Sequence, residues 1–187
     1  MRISSYYSDA FNGQFALRLK DSVRNFSFEC DLYKWEQGDG DSTRVRSKLL
    51  ARTLTERRGE DVLFVDPEAQ LQRRPDALLD EHDFDVGIYY DSRTLEISGP
   101  IFLRNNPPTL QMLRDWQALN RAEPGATELE TLSQVLSRPG SAVRVRRLPV
   151  TYAWVERLHR EVYPSASPVI VHFKTDGLLS SRIRIPR

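Results

Sequence analysis

The sequence predicts an α/β fold with a mixed, mostly parallel central sheet flanked by helices. Strand-like and helix-like segments alternate from the first residues onward, which is the pattern of sheets whose strands are joined by helices. A continuous apolar run at residues 62–65 is typical of a central strand that is covered on both faces. The 187 residues suffice for one domain with a full core and leave little room for a second, so we expect residues 1–187 to form a single domain.

The N-terminal elements follow from local patterns. Residues 2–7 are short and rich in β-forming side chains, which predicts the first strand. Residues 11–23 carry an apolar stripe at helical spacing, and residues 26–33 alternate apolar and polar side chains, so a helix and a half-buried strand are expected. A loop rich in glycine and aspartate at residues 38–42 precedes a predicted amphipathic helix at residues 43–58.

The next strand, at residues 61–65, positions the first candidate functional side chain. Pro67 cannot donate a hydrogen bond to a neighbouring strand, so this strand must end at about Asp66. In α/β sheets the carboxyl ends of buried strands form the edge at which ligands bind. We therefore expect Asp66 to lie at a ligand-binding edge.

The remaining elements continue the alternation. Pro108 suits the first turn of a helix, and Thr127 and Glu130 have the spacing of a capping box. We expect strands at residues 84–90, 96–103, 142–148 and 168–173, and helices at residues 108–119 and 127–137.

The cysteine content and the apolar stretches indicate the compartment in which the protein is expected. A single cysteine, Cys30, cannot form an internal disulfide, which favours a reducing compartment. No secretory signal is visible, and no stretch approaches the ~20 apolar residues that span a bilayer. We therefore expect a cytoplasmic protein without a membrane span.

Charge is balanced over the whole chain but locally uneven. The formal net charge of +1 argues against a protein that binds polyanions by bulk electrostatics. The last third is basic, which is consistent with a solvated surface or, alternatively, with an anionic ligand. Its clustered arginines are Arg144, Arg146, Arg147, Arg182, Arg184 and Arg187.

Several short motifs follow one another in an order that resembles a known family. A helix with a lysine precedes an apolar strand that ends in two acidic residues; a Ser-Gly strand, a helix with tryptophan and a final apolar strand with histidine come later. In this order the chain resembles the nucleotide-diphospho-sugar transferases, which are GT-A type glycosyltransferases. The motifs are Lys48, Asp66-Pro67-Glu68, Ser98-Gly99, Arg104-Asn105, Trp116, Leu148-Pro149 and Val171-His172.

The resemblance implies a GT-A-like fold and transfer of a sugar from a nucleotide-diphosphate sugar, in the first instance a UDP-sugar, with Mn²⁺ or Mg²⁺ as cofactor. A divalent cation with oxygen ligands can neutralise a leaving diphosphate, and Asp66 and Glu68 have the spacing to reach one ion. Glu68 departs from the family's usual second aspartate, although it remains an oxygen ligand. His172 is the third expected metal ligand, facing the same cleft if its strand runs parallel to residues 61–65.

The remaining site assignments also come from the resemblance. We assign Lys48 and Lys174 to the diphosphate and Tyr6 to the nucleobase and ribose. Gly99 would permit close approach of the backbone beside the donor sugar. Glu128 is the candidate general base, since an inverting mechanism needs a carboxylate near the acceptor hydroxyl.

Each assignment has an ordinary alternative, and two other functions stay open. Asp66 can be a turn residue, and His172 can be a buried histidine satisfied by the backbone. The chain can be a catalytically degenerate GT-A-like nucleotide-binding protein, since Glu68 and Glu128-Leu129 depart from the family pattern. It can also be a nucleic-acid-associated protein that uses the basic C-terminal third. The sequence does not distinguish a glycan, a small molecule, a protein or a modified nucleic acid as the acceptor.

Overall fold

The computed structural model describes residues 1–36, 44–91 and 96–173 and shows an α/β fold with a six-stranded central sheet. The strands are β1 (Arg2–Tyr7), β2 (Cys30–Lys34), β3 (Val62–Phe64), β4 (Ala69–Leu71), β5 (Val86–Tyr90), β6 (Ile97–Leu103), β7 (Val145–Arg147) and β8 (Ile170–His172). The helices are α1 (Ala10–Arg24), α2 (Val45–Glu56), α3 (Asp76–Asp80), α4 (Pro107–Ala122), α5 (Glu128–Leu136) and α6 (Glu156–His159).

The central sheet is mixed and mostly parallel, as predicted. Its strand order is β2-β1-β3-β6-β5-β7. Among these described strands, β6 runs antiparallel to both of its neighbours, β3 and β5, and the other neighbouring pairs are parallel. Helices cover both faces: α1 packs on one side through Leu19 and Val23, whereas α2, α4 and α5 pack on the other through side chains that include Leu50 and Trp116.

Strand β3 occupies the central position that its apolar run predicts. It pairs with β1 on one side and with β6 on the other, and all four side chains at residues 62–65 are fully buried. Val65 follows the strand and still donates its N–H to the carbonyl oxygen of Ser4, at 3.0 Å. Asp66 is therefore the first partly exposed residue at the carboxyl end of a buried strand.

The Arg104-Asn105 motif joins the start of β3 to the end of α2. Asp61 accepts hydrogen bonds from Arg104 Nη1 at 2.7 Å and from the backbone N–H of Asn105 at 2.9 Å. The Asn105 side-chain amide donates to the carbonyl oxygens of Leu54 and Arg57, each at 3.0 Å. Since the last carbonyls of a helix lack partners within the helix, this amide caps α2, and the motif has a structural role.

A second, two-stranded sheet corrects one expectation. The strand that carries His172, β8, pairs antiparallel with β4 and is not part of the central sheet.

The predicted strand at residues 26–33 begins only at Cys30, because Ser27 adopts a left-handed φ of 60° in the turn after α1. The predictions omitted β4, α3 and α6, which are too short to carry a clear periodic pattern. The predicted loop at residues 38–42 lies outside the described residues.

The start of helix α5 agrees with its predicted local pattern. Thr127 and Glu130 form the predicted capping box at the start of α5, with each side chain accepting from the backbone of the other residue.

None of the helices that the structure describes is both long enough and apolar enough to cross a membrane.

Candidate metal centre

Asp66, Glu68 and His172 lie together. Each offers one ligand atom, and these three atoms are all within 4.8 Å of one another. The two carboxylates are partly exposed, whereas His172 is buried, with only 4% of its surface accessible. The structure thus brings together two residues from the loop after β3 and one from β8, more than a hundred positions later in the chain.

The two-stranded sheet of β4 and β8 brings these residues together. They do not lie along a shared edge of the central sheet. Strand β4 begins directly after the acidic loop, and its first residue, Ala69, is in register with His172. The backbone N–H of Phe173 donates to the carbonyl oxygen of Glu68 at 3.0 Å. Because β4 and β8 are antiparallel, the end of β8 lies beside the start of β4 and therefore beside the loop that holds both carboxylates.

The spacing and chemistry of these three residues fit one divalent cation. Two ligands of a single ion are separated by at most twice the metal–ligand distance, or about 4–5 Å for bonds of about 2.0–2.6 Å. The separations within 4.8 Å meet this limit. Carboxylate oxygens suit Mn²⁺ and Mg²⁺, and the imidazole nitrogen favours the transition-metal ion.

Arg46, near the start of α2, is a site residue that the sequence did not reveal. Its Nη2 lies 2.8 Å from Oδ1 of Asp66, and its guanidinium carbon lies 5.5 Å from the centroid of the Phe64 ring. Burial acts to lower the pKa of Arg46, but the charge of Asp66 and the hydrogen bond to it outweigh burial and raise the pKa well above its ordinary value. Arg46 is therefore a permanent positive charge beside the acidic loop.

Glu128, the predicted general base, binds the backbone of α2. It is buried, with 3% of its surface accessible. Its Oε2 accepts from the N–H of Arg46 at 3.0 Å, and its Oε1 accepts from the N–H of Ser47 at 2.7 Å. Burial raises the pKa of Glu128, whereas these hydrogen bonds and the charge of Arg46 oppose that rise. The carboxylate thus satisfies donors in the first turn of α2, and its role as a base stays a prediction.

Tyr6 lies at the carboxyl end of β1, close to the same charges. Its ring stacks on Phe64 with a centroid separation of 6.1 Å. Burial raises the pKa of the Tyr6 hydroxyl, Arg46 acts against this rise, and Asp66 adds to it. Tyr6 is therefore within electrostatic range of Arg46 and Asp66, and its assignment to the nucleobase and ribose stays a prediction.

Of the two lysines that we assigned to the diphosphate, only Lys48 lies in the part of the chain that the structure describes. Lys48 is exposed on α2, and its Nζ lies 5.6 Å from the centroid of the Trp35 ring. Lys174 lies outside the described residues. The structure therefore gives Lys48 a cation–π contact, while the assignment of both lysines to the diphosphate stays a prediction.

Gly99, in β6, lies against the ring of His172. Its φ is +74°, and a Cβ built there would lie 3.5 Å from both Cε1 and Nε2 of His172 and 3.3 Å from Cβ of Ala153. The backbone conformation and this close approach both favour glycine.

We expect Gly99→Ala to weaken Mn²⁺ binding severalfold. A side chain is strained at this positive φ and its Cβ is crowded by Ala153 at 3.3 Å, so the backbone that lies against the His172 ring must shift. The substitution should also lower the free energy of unfolding by about 1–2 kcal/mol, since L-residues are strained at positive φ. Gly59→Ala is the matched control, because Gly59 has a φ of +81° with nothing within 4 Å of its added Cβ. Calorimetry should show weaker metal binding only for Gly99→Ala; equal Mn²⁺ affinities in the two variants would contradict the contact's role.

The basic C-terminal third is partly engaged in internal ion pairs. Arg144 contacts the buried carboxylate of Asp85 through Nε and Nη2, each at 2.9 Å. Arg146 Nη2 lies 3.0 Å from Oδ1 of Asp83. These contacts support the interpretation of both arginines as structural surface residues. The other basic cluster, Arg182, Arg184 and Arg187, lies outside the described residues.

Comparisons with known proteins give the family of this chain and show which solved structures have a similar fold. The model of the family described as nucleotide-diphospho-sugar transferase matches residues 33–178. The fold is similar to that of a glycosyltransferase involved in the glycosylation of the major capsid of PBCV-1, with a TM-score of 0.73 and 12% identity over 96% of this chain and 95% of that chain. No curated protein sequence matches.

Larger glycosyltransferases share the fold over part of their length. The apo form of GlyE from Streptococcus pneumoniae TIGR4 aligns with a TM-score of 0.60 and 12% identity, over 94% of this chain and 55% of that one. The apo structure of the bifunctional glycosyltransferase WbbM aligns with a TM-score of 0.57 and 10% identity, over 94% of this chain and 46% of that one. The chain therefore spans about half the length of these two proteins.

These findings confirm the predicted GT-A-like fold and the predicted enzyme class, a glycosyltransferase. The fold similarity extends over nearly the whole chain, and the family model covers most of it, from residue 33 to residue 178. The chain belongs to the nucleotide-diphospho-sugar transferase family.

Proposed function

We propose that the protein is a metal-dependent glycosyltransferase that moves a sugar from a nucleotide-diphosphate sugar to a hydroxyl group of an acceptor. The observation that carries this proposal is the close approach of Asp66, Glu68 and His172, whose ligand atoms lie within 4.8 Å of one another. Family membership supports the nucleotide-sugar donor. The choice of UDP as the nucleotide rests on the family resemblance of the sequence.

The three ligands would hold Mn²⁺ or Mg²⁺, which when bound supplies Lewis-acid stabilisation of the leaving diphosphate. Asp66 and Glu68 contribute the negative charge that attracts the cation. The buried position of His172, with its ring against Gly99, restricts the direction of its ligand nitrogen. Preorganised ligands of this kind reduce the cost of ordering the site when the donor binds.

The neighbouring residues orient the acidic loop and the donor. Arg46 holds one oxygen of Asp66 at 2.8 Å and thereby fixes the carboxylate. Tyr6, at the adjacent strand end, would contact the nucleobase or ribose through its partly exposed ring. The diphosphate would then lie between Tyr6 and the metal ligands, with Arg46 within reach of its negative charge.

The proposal predicts that metal and nucleoside diphosphate bind together. UDP should bind at least about tenfold more tightly with saturating Mn²⁺ than without it, because each ligand neutralises charge that the other brings. Isothermal titration of UDP into the protein, with Mn²⁺ and with EDTA, measures this difference. Uridine, which lacks the diphosphate, is the control and should show no dependence on metal. Equal UDP affinities under the two conditions would exclude the proposed site.

A catalytically degenerate nucleotide-binding protein is the second candidate. One observation favours it: both carboxylate oxygens of Glu128, the predicted base, already accept backbone hydrogen bonds. Such a protein would bind UDP and Mn²⁺ as above but would not turn over a donor. Release of UDP from a panel of UDP-sugars, measured with Mn²⁺ over hours, distinguishes the two, because UDP is released only when the sugar is transferred to an acceptor or to water.

A further inference from the structure

Three contacts fix the position of Arg46 in the site. Its backbone N–H donates to Glu128 at 3.0 Å, which holds the first turn of α2. Its guanidinium lies 5.5 Å from the centroid of the Phe64 ring, and its Nη2 lies 2.8 Å from Asp66. The charge of Arg46 is therefore held against a carboxylate that is also a candidate metal ligand.

The guanidinium of Arg46 can donate more hydrogen bonds than it makes to the described residues. Its Nε is buried and has no hydrogen-bond partner among the described residues. Buried polar atoms are nearly always satisfied in folded proteins, so such an atom calls for a ligand or a change of arrangement. A guanidinium has five N–H donors in a planar fork, which matches the oxygens of a phosphate group.

Two of the N–H groups at the start of α2 are not available to bind a phosphate group. The N-terminus of a helix commonly binds phosphate through its free N–H groups. Here Glu128 already occupies the N–H groups of Arg46 and Ser47, at 3.0 Å and 2.7 Å. An anion that approaches this end of α2 therefore cannot use these two backbone groups, and the side chain of Arg46 is a donor close to them.

Arg46 and a metal ion would compete for Asp66. A cation bound to this carboxylate would lie within roughly 5 Å of the guanidinium, a distance at which like charges repel appreciably in a partly buried site. A diphosphate removes the conflict, because its oxygens can bind the cation and accept hydrogen bonds from Arg46 at the same time.

We propose that Arg46 makes metal binding depend on the donor: it weakens cation binding to Asp66 when no donor is present, and it binds the donor's diphosphate when both ligands are present. This inference rests on the proposed function, since it requires a cation and a nucleoside diphosphate at this site. The consequence is that the complete complex is favoured over the protein with metal alone.

The test is a thermodynamic cycle by isothermal titration of Mn²⁺ alone, UDP alone, and each in the presence of the other. In Arg46→Met, Mn²⁺ alone should bind about tenfold more tightly than in wild type, and the coupling factor between Mn²⁺ and UDP should fall by about tenfold or more. Methionine keeps an apolar stem over Phe64. Arg46→Gln, which keeps an amide donor for Asp66 without the charge, should behave in the same way and guards against misfolding of the first variant.

Arg52→Met is the matched control. Arg52 also lies on α2, over the ring of Tyr33 at 5.1 Å, and pairs with Glu56 at 2.7 Å. Its replacement should change neither Mn²⁺ affinity nor the coupling factor. The proposal is overturned if Arg46→Met and Arg46→Gln keep the Mn²⁺ affinity and the coupling of wild type. If the wild-type protein itself shows no coupling, the proposed function fails first and this inference fails with it.

Discussion

Asp66→Asn is expected to reduce the rate of donor turnover by at least about a hundredfold, because it removes one negative ligand from the metal and with it part of the stabilisation of the leaving diphosphate. Asparagine has nearly the same shape and keeps an acceptor for Arg46, which lies 2.8 Å from Oδ1 of Asp66. The free energy of unfolding should therefore fall by only about 1–2 kcal/mol, the cost of exchanging a charge-assisted hydrogen bond for a neutral one. UDP release from the donor measures the turnover, and chemical unfolding measures the stability. The affinity for Mn²⁺, which should also fall, is measured by isothermal titration.

Asp61→Asn is the control for this substitution. Asp61 lies at the opposite end of the same strand, where it accepts hydrogen bonds from Arg104 and Asn105. We expect Asp61→Asn to destabilise the fold without changing Mn²⁺ affinity. Wild-type metal affinity in Asp66→Asn, or an equal loss in both variants, would contradict the assignment of Asp66 to the metal.

Trp116→Ala is expected to have the largest effect on stability, lowering the free energy of unfolding by about 3–5 kcal/mol. The indole is fully buried among α2, α4 and α5, and its Nε1 donates to the carbonyl oxygen of Glu128 at 2.8 Å. Its loss leaves a cavity beside the carboxylate that holds α2. It also removes one of two side-chain hydrogen bonds to the carbonyl oxygen of Glu128, the other coming from Oγ1 of Thr131 at 2.9 Å. Thermal unfolding should show a decrease in Tm of roughly 6–20 °C for a chain of this size.

Trp116→Phe separates the contribution of the buried apolar volume to stability from that of the indole hydrogen bond. Phenylalanine keeps most of the apolar volume but cannot donate a hydrogen bond to Glu128, so the expected loss is about 1–3 kcal/mol. A loss below about 1 kcal/mol in Trp116→Ala would show that the surrounding helices repack around the missing ring. That result would contradict the view that Trp116 supports the position of α2 and hence of Arg46.

The strand that positions Asp66 was predictable because its signal is local. Residues 62–65 are uninterruptedly apolar and Pro67 ends the strand, and both features act on the backbone directly. The structure confirms a buried strand paired on both sides. The capping box of Thr127 and Glu130 was predictable for the same reason, since its two residues contact each other.

His172 lies near Asp66 and Glu68, as predicted, but the strand arrangement from which this was predicted was wrong. The prediction placed its strand in the central sheet, whereas β8 pairs antiparallel with β4. Strand β4 has three residues and follows the acidic loop without a periodic pattern, so no local signal predicts it. The contact depends on pairing between segments about a hundred residues apart, which local patterns do not encode.

The roles of Arg46 and Glu128 also depend on tertiary contacts. An arginine at the start of a helix resembles an ordinary surface charge, and Lys48, two residues later, matched the family motif instead. Glu128 resembled a free catalytic carboxylate, but its side chain binds the backbone of α2 across 82 positions of the chain. No spacing within the sequence connects these two elements.

Pulsed electron paramagnetic resonance on the complex of the protein with Mn²⁺ and UDP tests the central claim most directly. Electron spin echo modulation detects nuclei bound to or near the ion. We expect modulation from an imidazole nitrogen and from phosphorus in the wild-type protein, because His172 and the diphosphate would both be ligands of the ion. The nitrogen modulation should disappear in His172→Gln while the phosphorus modulation remains. A wild-type spectrum without nitrogen modulation, or one that His172→Gln leaves unchanged, would contradict a metal site formed by Asp66, Glu68 and His172.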